Sequence, residues 1–259
     1  MLKVWILFYH SPRGQKDMAT VKKEIIGKLQ EQILKLQGFK PERNAHATDF
    51  GLGIISTAFP GNIFPLAALH EFLATNLEDA AASGGFISAL LAVLMKNNGV
   101  CLWISTQRKI FPPSLITFGL SPERIIFIDL QNERDVLWAT EEALKCESLA
   151  AVVTELDEIS FAQSRRLQLV IEKSRVTAFV IRKNAEKLSS TLAAARWRIS
   201  AMPSVAIDGL PGLGFPRWHV ELLKVKNGIP GNWIIAYAAG AFRPVTQVPF
   251  DGLKIRRAV

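Results

Sequence analysis

Short, continuous apolar runs alternate with helical segments through the middle of this chain, and this alternation restricts the fold more than any other feature. A strand that is apolar along its whole length is buried on both faces, which is typical of a parallel sheet covered by helices. Strands of this kind are predicted over residues 66–73, 100–104, 124–129, 149–154 and 177–181. Helices are predicted between them, over residues 83–97, 115–120, 133–145 and 164–174.

The two ends of the chain follow other patterns. Residues 17–37 have apolar side chains every three or four positions, which predicts an amphipathic helix that Gly38 and Pro41 would end. Such a helix must bury its apolar face on its own domain or on a partner, and the sequence favours neither. After about residue 190 the strands alternate polar and apolar residues, and Asn227-Gly228 separates two of them. This pattern predicts a β-hairpin and an antiparallel extension of the sheet.

These patterns divide the chain into three regions. Residues 1–45 form an N-terminal extension with the amphipathic helix, residues 46–245 form one α/β core domain, and residues 246–259 form a basic tail. The longest apolar stretch, residues 86–95, is about half the length needed to cross a membrane, so no membrane span is expected. Cys101 and Cys146 lack a metal or redox spacing and are interpreted as small hydrophobic residues in a reducing compartment.

The net charge of +8 is unevenly distributed along the chain. Residues 46–174 hold 9 basic and 15 acidic groups, whereas residues 1–45 hold 9 and 4 and residues 175–259 hold 13 and 4. Basic ends favour anionic partners, either nucleic acid or an acidic protein surface, although solvated lysines that keep a protein soluble give the same composition.

The segment Glu78–Phe86 lies where a nucleotide-binding protein of this layout would hold phosphate. A phosphate-binding loop of the form G-x-x-x-x-G-K-[ST] uses its Lys on the phosphates and its hydroxyl on Mg²⁺. Here Gly84 is followed by Gly85 and Phe86, and Glu78 and Asp79 are acidic. The sequence contains no Lys or Arg between Arg43 and Lys96. We interpret the segment as a phosphate loop without its cation.

A parallel core with an antiparallel extension behind a leading helix resembles the core of the RecA recombinases. A second resemblance is carried by seven segments, residues 35–41, 58–60, 69–72, 78–81, 196–198, 217–223 and 228–233. In these segments the chain is more similar still to the ImuA family, RecA-like proteins of bacterial mutagenic repair. This resemblance implies an α/β, P-loop NTPase-like fold with a mostly parallel sheet and helices on both faces.

The same resemblance locates the residues of a degraded nucleotide site. The glutamate that activates water in RecA falls at Gln107, which can position a water but cannot take its proton. The Walker B aspartate falls near Thr154, with Glu155 on the opposite face of the strand. With Gly84, Gly85 and Phe86, these positions lead us to expect neither ATP hydrolysis nor a bound cofactor or metal.

Basic residues on the late strands and in the tail are candidates for binding DNA or a partner. Such strands with interleaved aromatic residues suit phosphate contacts, but lysines also protect sheet edges from unwanted pairing, and the sequence favours neither interpretation. The candidates are Arg196, Arg198, Lys224, Lys226, Lys254, Arg256 and Arg257. His70 beside Glu71 is interpreted as a packing or hydrogen-bonding residue, because neighbours on a strand face opposite ways.

The family resemblance implies a non-catalytic accessory protein of error-prone translesion DNA synthesis. Its implied partners are an ImuB-like relative of Y-family polymerases, an error-prone C-family DNA polymerase, and RecA itself. The expected location is the cytoplasm, near the nucleoid. Two alternatives stay open: a cell-division inhibitor similar to SulA, which would bind FtsZ, and an ATPase with residual nucleotide binding.

Overall fold

The described residues form one sheet of nine strands with helices on both faces. The computed structural model describes residues 49–96, 99–183, 189–204 and 214–245. The strands are β1 (Leu69–Leu73), β2 (Val100–Ser105), β3 (Ile125–Asp129), β4 (Leu149–Leu156), β5 (Thr177–Arg182), β6 (Ala195–Met202), β7 (Arg217–Val225), β8 (Gly231–Ala238) and β9 (Ala241–Pro244). The α-helices are α1 (Leu77–Leu94), α2 (Glu133–Leu144) and α3 (Phe161–Ser174). Shorter 3₁₀ turns span Gly53–Ala58, Pro60–Asn62, Pro112–Phe118 and Pro122–Arg124.

The strand order is β3-β2-β4-β5-β1-β6-β7-β8-β9. Strands β1 to β5 are parallel, and β6 continues this part because it pairs in parallel with β1. Strands β7, β8 and β9 follow in antiparallel register. The predicted parallel core, its antiparallel extension and the β7–β8 hairpin are confirmed, while β9 is an additional strand that the sequence did not predict.

Two apolar cores lie on opposite sides of the sheet. The core on the α1 side is rich in aromatic residues, and Phe72, Phe86 and Trp197 meet at its centre with ring centroids 5.8–6.2 Å apart. The core on the other side lies under α2 and α3 and is built from aliphatic residues such as Val152, Val180 and Ile171. Burial on both faces explains why β2, β4 and β5, which lie inside the sheet, are largely apolar.

The structure of helix α1 shows that the loop predicted over Glu78–Phe86 is wrong. The segment Glu78–Phe86 is not a loop, because α1 begins at Leu77 and includes all of it. The helix also has the length and composition of a membrane span, which the sequence did not lead us to expect, but most of it is buried in the protein core. Its low charge is therefore explained by its central position between the sheet and the flanking 3₁₀ segments.

The remaining differences concern where elements begin. Strand β1 starts at Leu69 rather than at residue 66, and the helix expected over 115–120 is the 3₁₀ segment Pro112–Phe118. Helix α3 starts three residues early, at Phe161, because Ser160 and Gln163 form a capping box. The predicted leading helix (17–37) and basic tail (246–259) lie outside the described residues, so the domain boundaries predicted there remain predictions.

Candidate functional site

The connection between β1 and α1 is where a RecA-like protein would hold phosphate, and here it is three residues long. Ala74, Thr75 and Asn76 lead directly from Leu73 into the helix. The Asn76 side chain caps α1 by accepting a hydrogen bond from the Asp79 amide at 2.7 Å. Since the last strand residue and the first helical residue are so close, the backbone has no room to wrap around a phosphate group at this point.

The first turn of α1 is also occupied by its own carboxylates. Asp79 is buried, and its Oδ2 accepts hydrogen bonds from the Thr75 hydroxyl at 2.7 Å and from the Thr75 amide at 3.4 Å. Glu78 is exposed beside it. Two acidic side chains at a helix N-terminus are favourable for the helix dipole, but they repel a phosphate that approaches the same amides.

The glycines expected in the phosphate loop lie one turn or more beyond the start of the helix. Gly84, Gly85 and Phe86 are in the middle of α1, and Phe86 is completely buried in the aromatic core. A Cβ atom on Gly85 would lie 3.1 Å from Phe118 and 3.2 Å from Trp218. The assignment of these three residues to a nucleotide-site loop is therefore wrong. A small residue is needed at position 85 because the rings of Phe118 and Trp218 pack directly on the helix backbone there.

The two other expected positions of the nucleotide site lie on opposite faces of β4. Thr154 is buried under α2, where its hydroxyl lies 2.8 Å from that of Thr140. Glu155 points to the α1 side and accepts a hydrogen bond from Trp103 Nε1 at 2.9 Å. Burial raises the pKa of Glu155, although the Trp103 hydrogen bond and nearby Lys183 and Lys109 oppose this shift. The predicted divergence of the two side chains agrees with the structure.

Gln107 lies in a polar cleft of about 540 Å³ at the carboxyl ends of β2, β3 and β4. Three carboxylates line this cleft, those of Asp129, Glu133 and Asp157, and no basic residue is among its lining residues. Asp129 is held by Arg108 at 2.7 Å, and Glu133 accepts a hydrogen bond from the Asp157 amide at 2.6 Å. The cleft is acidic and does not suit a polyphosphate.

Sequence reasoning did not identify a buried charge cluster formed by residues of β1, β5 and β6. Glu71 on β1 is 1% exposed and pairs with Arg182 at 2.7 Å and with Arg196 at 2.7 Å. Its Oε2 also accepts a hydrogen bond from Thr191. His70, next to Glu71 in the chain, faces the aromatic core, where it stacks on Phe64 and contacts the Pro65 carbonyl at 2.7 Å. The His70–Glu71 dipeptide is a packing feature, as its strand periodicity indicated.

Of the basic residues predicted on the late strands to bind DNA or a partner, Arg196 and Lys224 take part in this cluster. Arg196 is largely buried and committed to Glu71, to the Ser189 carbonyl and to Thr191, so it does not face solvent as a phosphate ligand would. Lys224 is exposed but donates to the Thr191 carbonyl at 2.9 Å, and partial burial and nearby Arg196 lower its pKa.

The other predicted basic positions have different surroundings. Arg198 is about one-third exposed and lies 3.6 Å from Glu221. Lys226 is exposed, and its backbone amide bonds to the Ala194 carbonyl. Lys254, Arg256 and Arg257 lie outside the described residues. The structure places Arg217, His219 and Arg243 on the same sheet face as Arg198, and period-two alternation along β7 could have identified the first two.

The strand order and the helices on both faces define this chain as a RecA-like α/β protein. A crystal structure of the RadB recombinase matches it with a TM-score of 0.53 and 15% sequence identity, over 77% of this chain and 100% of that chain. At this identity the similarity shows the fold alone.

The sequence comparison is more specific. The chain is 33% identical over 216 residues to the proteins named ImuA in two strains of Caulobacter vibrioides, covering 77% of this chain and 88% of each relative. No family model matches the chain. The chain belongs to the ImuA family, and the resemblance found in its sequence is confirmed.

Proposed function

We propose that this chain is a non-catalytic, RecA-like accessory protein of error-prone translesion DNA synthesis. Its role is to hold other proteins together: an ImuB-like relative of Y-family polymerases, an error-prone C-family polymerase and, through a further contact, RecA. It acts in the cytoplasm, near the nucleoid and as part of the SOS response. Membership of the ImuA family and the RecA-like fold support this proposal.

The β1–α1 connection carries the non-catalytic part of the proposal. A nucleoside triphosphate carries about four negative charges, whose desolvation must be offset by a lysine, by Mg²⁺ or by a cradle of backbone amides. Here the connection is three residues long, Asn76 occupies an amide of the helix N-terminus, and Asp79 and Glu78 add negative charge. Gln107 stands in place of the glutamate base, and among the described residues the β1–α1 connection supplies no lysine to hold phosphate.

Interaction with partners can be tested with the full-length chain. We expect the tagged protein to recover the ImuB-like protein and the C-family polymerase of the same genome in a pull-down. Deletion of its gene should lower damage-induced mutation to the level seen without that polymerase. A protein that recovers neither partner and whose loss leaves induced mutation unchanged does not have this function.

The two alternatives from the sequence give different results in the same strains. A SulA-like inhibitor would cause filamentous growth on overexpression and reduce the GTPase activity of FtsZ, with no effect on induced mutation. A residual ATPase would bind Mg-ATP with micromolar affinity in calorimetry. We expect neither result.

A further inference from the structure

The antiparallel end of the sheet has an outer face with an unusual charge. This outer face consists of the side chains of β6 to β9 that point away from the aromatic core. On it, Arg198 lies opposite Glu221, Arg217 opposite Ala236, and Ala236 opposite Arg243, so β6, β7 and β9 contribute basic groups to one surface. The described helices pack elsewhere: α1 under β6 on the core side, and α2 and α3 against the parallel strands.

The charge of this region is almost entirely of one sign. Among the described residues from 189 onward there are six Lys and Arg residues but one acidic residue, Glu221. Arg196 and Lys224 belong to the cluster around Glu71, which leaves Arg198, Arg217 and Arg243 as the guanidinium groups of the outer face, with His219 between them on β7. This concentration attracts a partner of repeated negative charge.

The guanidinium groups have hydrogen-bonding capacity that their internal contacts leave unused. Arg198 reaches Glu221 at 3.6 Å, and Arg217 reaches the Pro203 carbonyl at 3.5 Å, both at the long limit for such contacts. Arg243 is exposed. An arginine has five donors, which suit the oxygen atoms of a phosphate group.

The apolar content of the outer face argues against a protein partner. Stable protein interfaces need a buried apolar centre, usually with aromatic anchors. The aromatic rings of these strands all pack into or against the opposite core, namely those of Trp197, Trp218, Trp233, Tyr237 and Phe242. The other side chains of the outer face are polar, small or aliphatic, among them His219, Ser200, Ile234 and Ala236. The outer face, as far as the structure describes it, therefore has charged groups but no aromatic side chain that could anchor a protein partner.

We propose that the outer face of β6 to β9 binds single-stranded nucleic acid through its phosphate backbone. Neighbouring strands are about 4.8 Å apart, so Arg217 and Arg243, two strands apart in one row, span roughly 10 Å and can contact separate phosphates of a strand that lies across the sheet. In the part of the chain that the structure describes, strands alone form this face and the helices pack elsewhere, so the face presents no helix to a duplex groove. The aromatic rings of β6 to β9 pack in the core and are not placed to stack on bases. The binding is therefore independent of base sequence.

The test compares two double variants that remove equal charge. R217Q/R243Q removes two guanidinium groups from the outer face, and R134Q/R165Q removes two exposed ones from α2 and α3. Binding of a fluorescent single-stranded oligonucleotide is measured by anisotropy between about 50 and 200 mM salt. For R217Q/R243Q we expect Kd to rise at least about tenfold at low salt and the salt slope to fall by about 1.4, the value for two lost phosphate contacts. R134Q/R165Q should bind as the wild type does.

A third variant gives a change of the opposite sign, which a damaged fold would not produce. E221Q removes the carboxylate near Arg198, so binding should become tighter. Urea unfolding confirms that each variant is folded. The proposal is wrong if the wild type does not bind at about 50 mM salt, if the two double variants behave alike, or if polyglutamate at equal charge displaces the oligonucleotide more effectively than unlabelled DNA does. The pull-down described above does not depend on this result, so the two proposals fail independently.

Discussion

At the scale of single residues, Glu71 has the largest expected effect on stability. It compensates the positive charges of Arg182 and Arg196, and the side chain of Arg182 is 1% exposed. Glu71→Ala leaves a buried guanidinium without its carboxylate, so we expect the free energy of unfolding in urea to fall by about 3–5 kcal/mol. Glu221→Ala is the matched control, because its pair with Arg198 is partly exposed and should contribute less than about 1 kcal/mol. Equal losses for the two variants would contradict this interpretation.

His70 gives a second prediction at this scale, on the dependence of stability on pH. Burial lowers the pKa of His70 from 6.5 to about 4, so the folded protein keeps the ring neutral where the unfolded chain takes up a proton. Stability should therefore decrease as the pH falls from 6.5 towards 4, by up to about 1.4 kcal/mol per pH unit.

The measurement is the difference between wild type and His70→Gln in urea unfolding across this range. Taking the difference removes the contributions of other groups, among them Glu155, whose raised pKa acts in the opposite direction. In His70→Gln, the free energy of unfolding should lack the part of the decrease between pH 6.5 and 4 that the wild type owes to His70. A difference that does not change with pH would show that His70 is not kept neutral in the folded state.

At the scale of elements, helix α1 combines glycines that have different surroundings. A Cβ on Gly84 would meet Trp103 at 3.9 Å, an ordinary contact, whereas one on Gly85 would crowd Phe118 and Trp218. We expect Gly84→Ala to raise the free energy of unfolding by about 0.5–1 kcal/mol, because alanine restricts the unfolded chain and favours the helix. Gly85→Ala should be less stable than Gly84→Ala by about 1 kcal/mol or more, since two packed rings must move. Thermal unfolding compares both variants with the wild type, and the reverse order would contradict the packing described here.

The same helix shows why its start was predicted incorrectly. Its Gly-Gly pair favours a loop by intrinsic propensity. The better signal was Asn76 followed three residues later by Asp79, a side-chain cap that fixes the first turn. Packing against Phe118 and Trp218 then favours a glycine at position 85 inside the helix. Tertiary contacts thus override local propensity at this point.

At the scale of the whole molecule, the short, acidic β1–α1 connection predicts how the protein responds to nucleotide. A ligand that binds only the folded state at 100 times its Kd would stabilise it by about 2.7 kcal/mol. We expect Mg-ATP at about 1 mM to leave the unfolding midpoint unchanged. An active RecA-type recombinase treated in the same way serves as the positive control. A clear upward shift would show that a nucleotide binds despite Asp79 and the short β1–α1 connection.

The sequence determined the sheet and most of the elements around it. Apolar runs such as Val100–Ser105 and Thr177–Arg182 are buried on both faces, and only a parallel sheet between helices satisfies that condition. Alternation along β7 and β8 likewise predicted the antiparallel extension, whereas β6, which also alternates, pairs in parallel with β1. These properties are local and periodic, so they can be read from the chain itself.

Only the tertiary structure decided which charged residues are used inside the protein and which remain at its surface. Glu71 and Arg196 are 125 residues apart in the chain, yet their side chains meet because β1 and β6 are neighbours in the sheet. Arg217 and Arg243 share a face only because β8 lies between their strands. Strand order and register fix these relationships, and both depend on packing across the whole sheet rather than on any short segment.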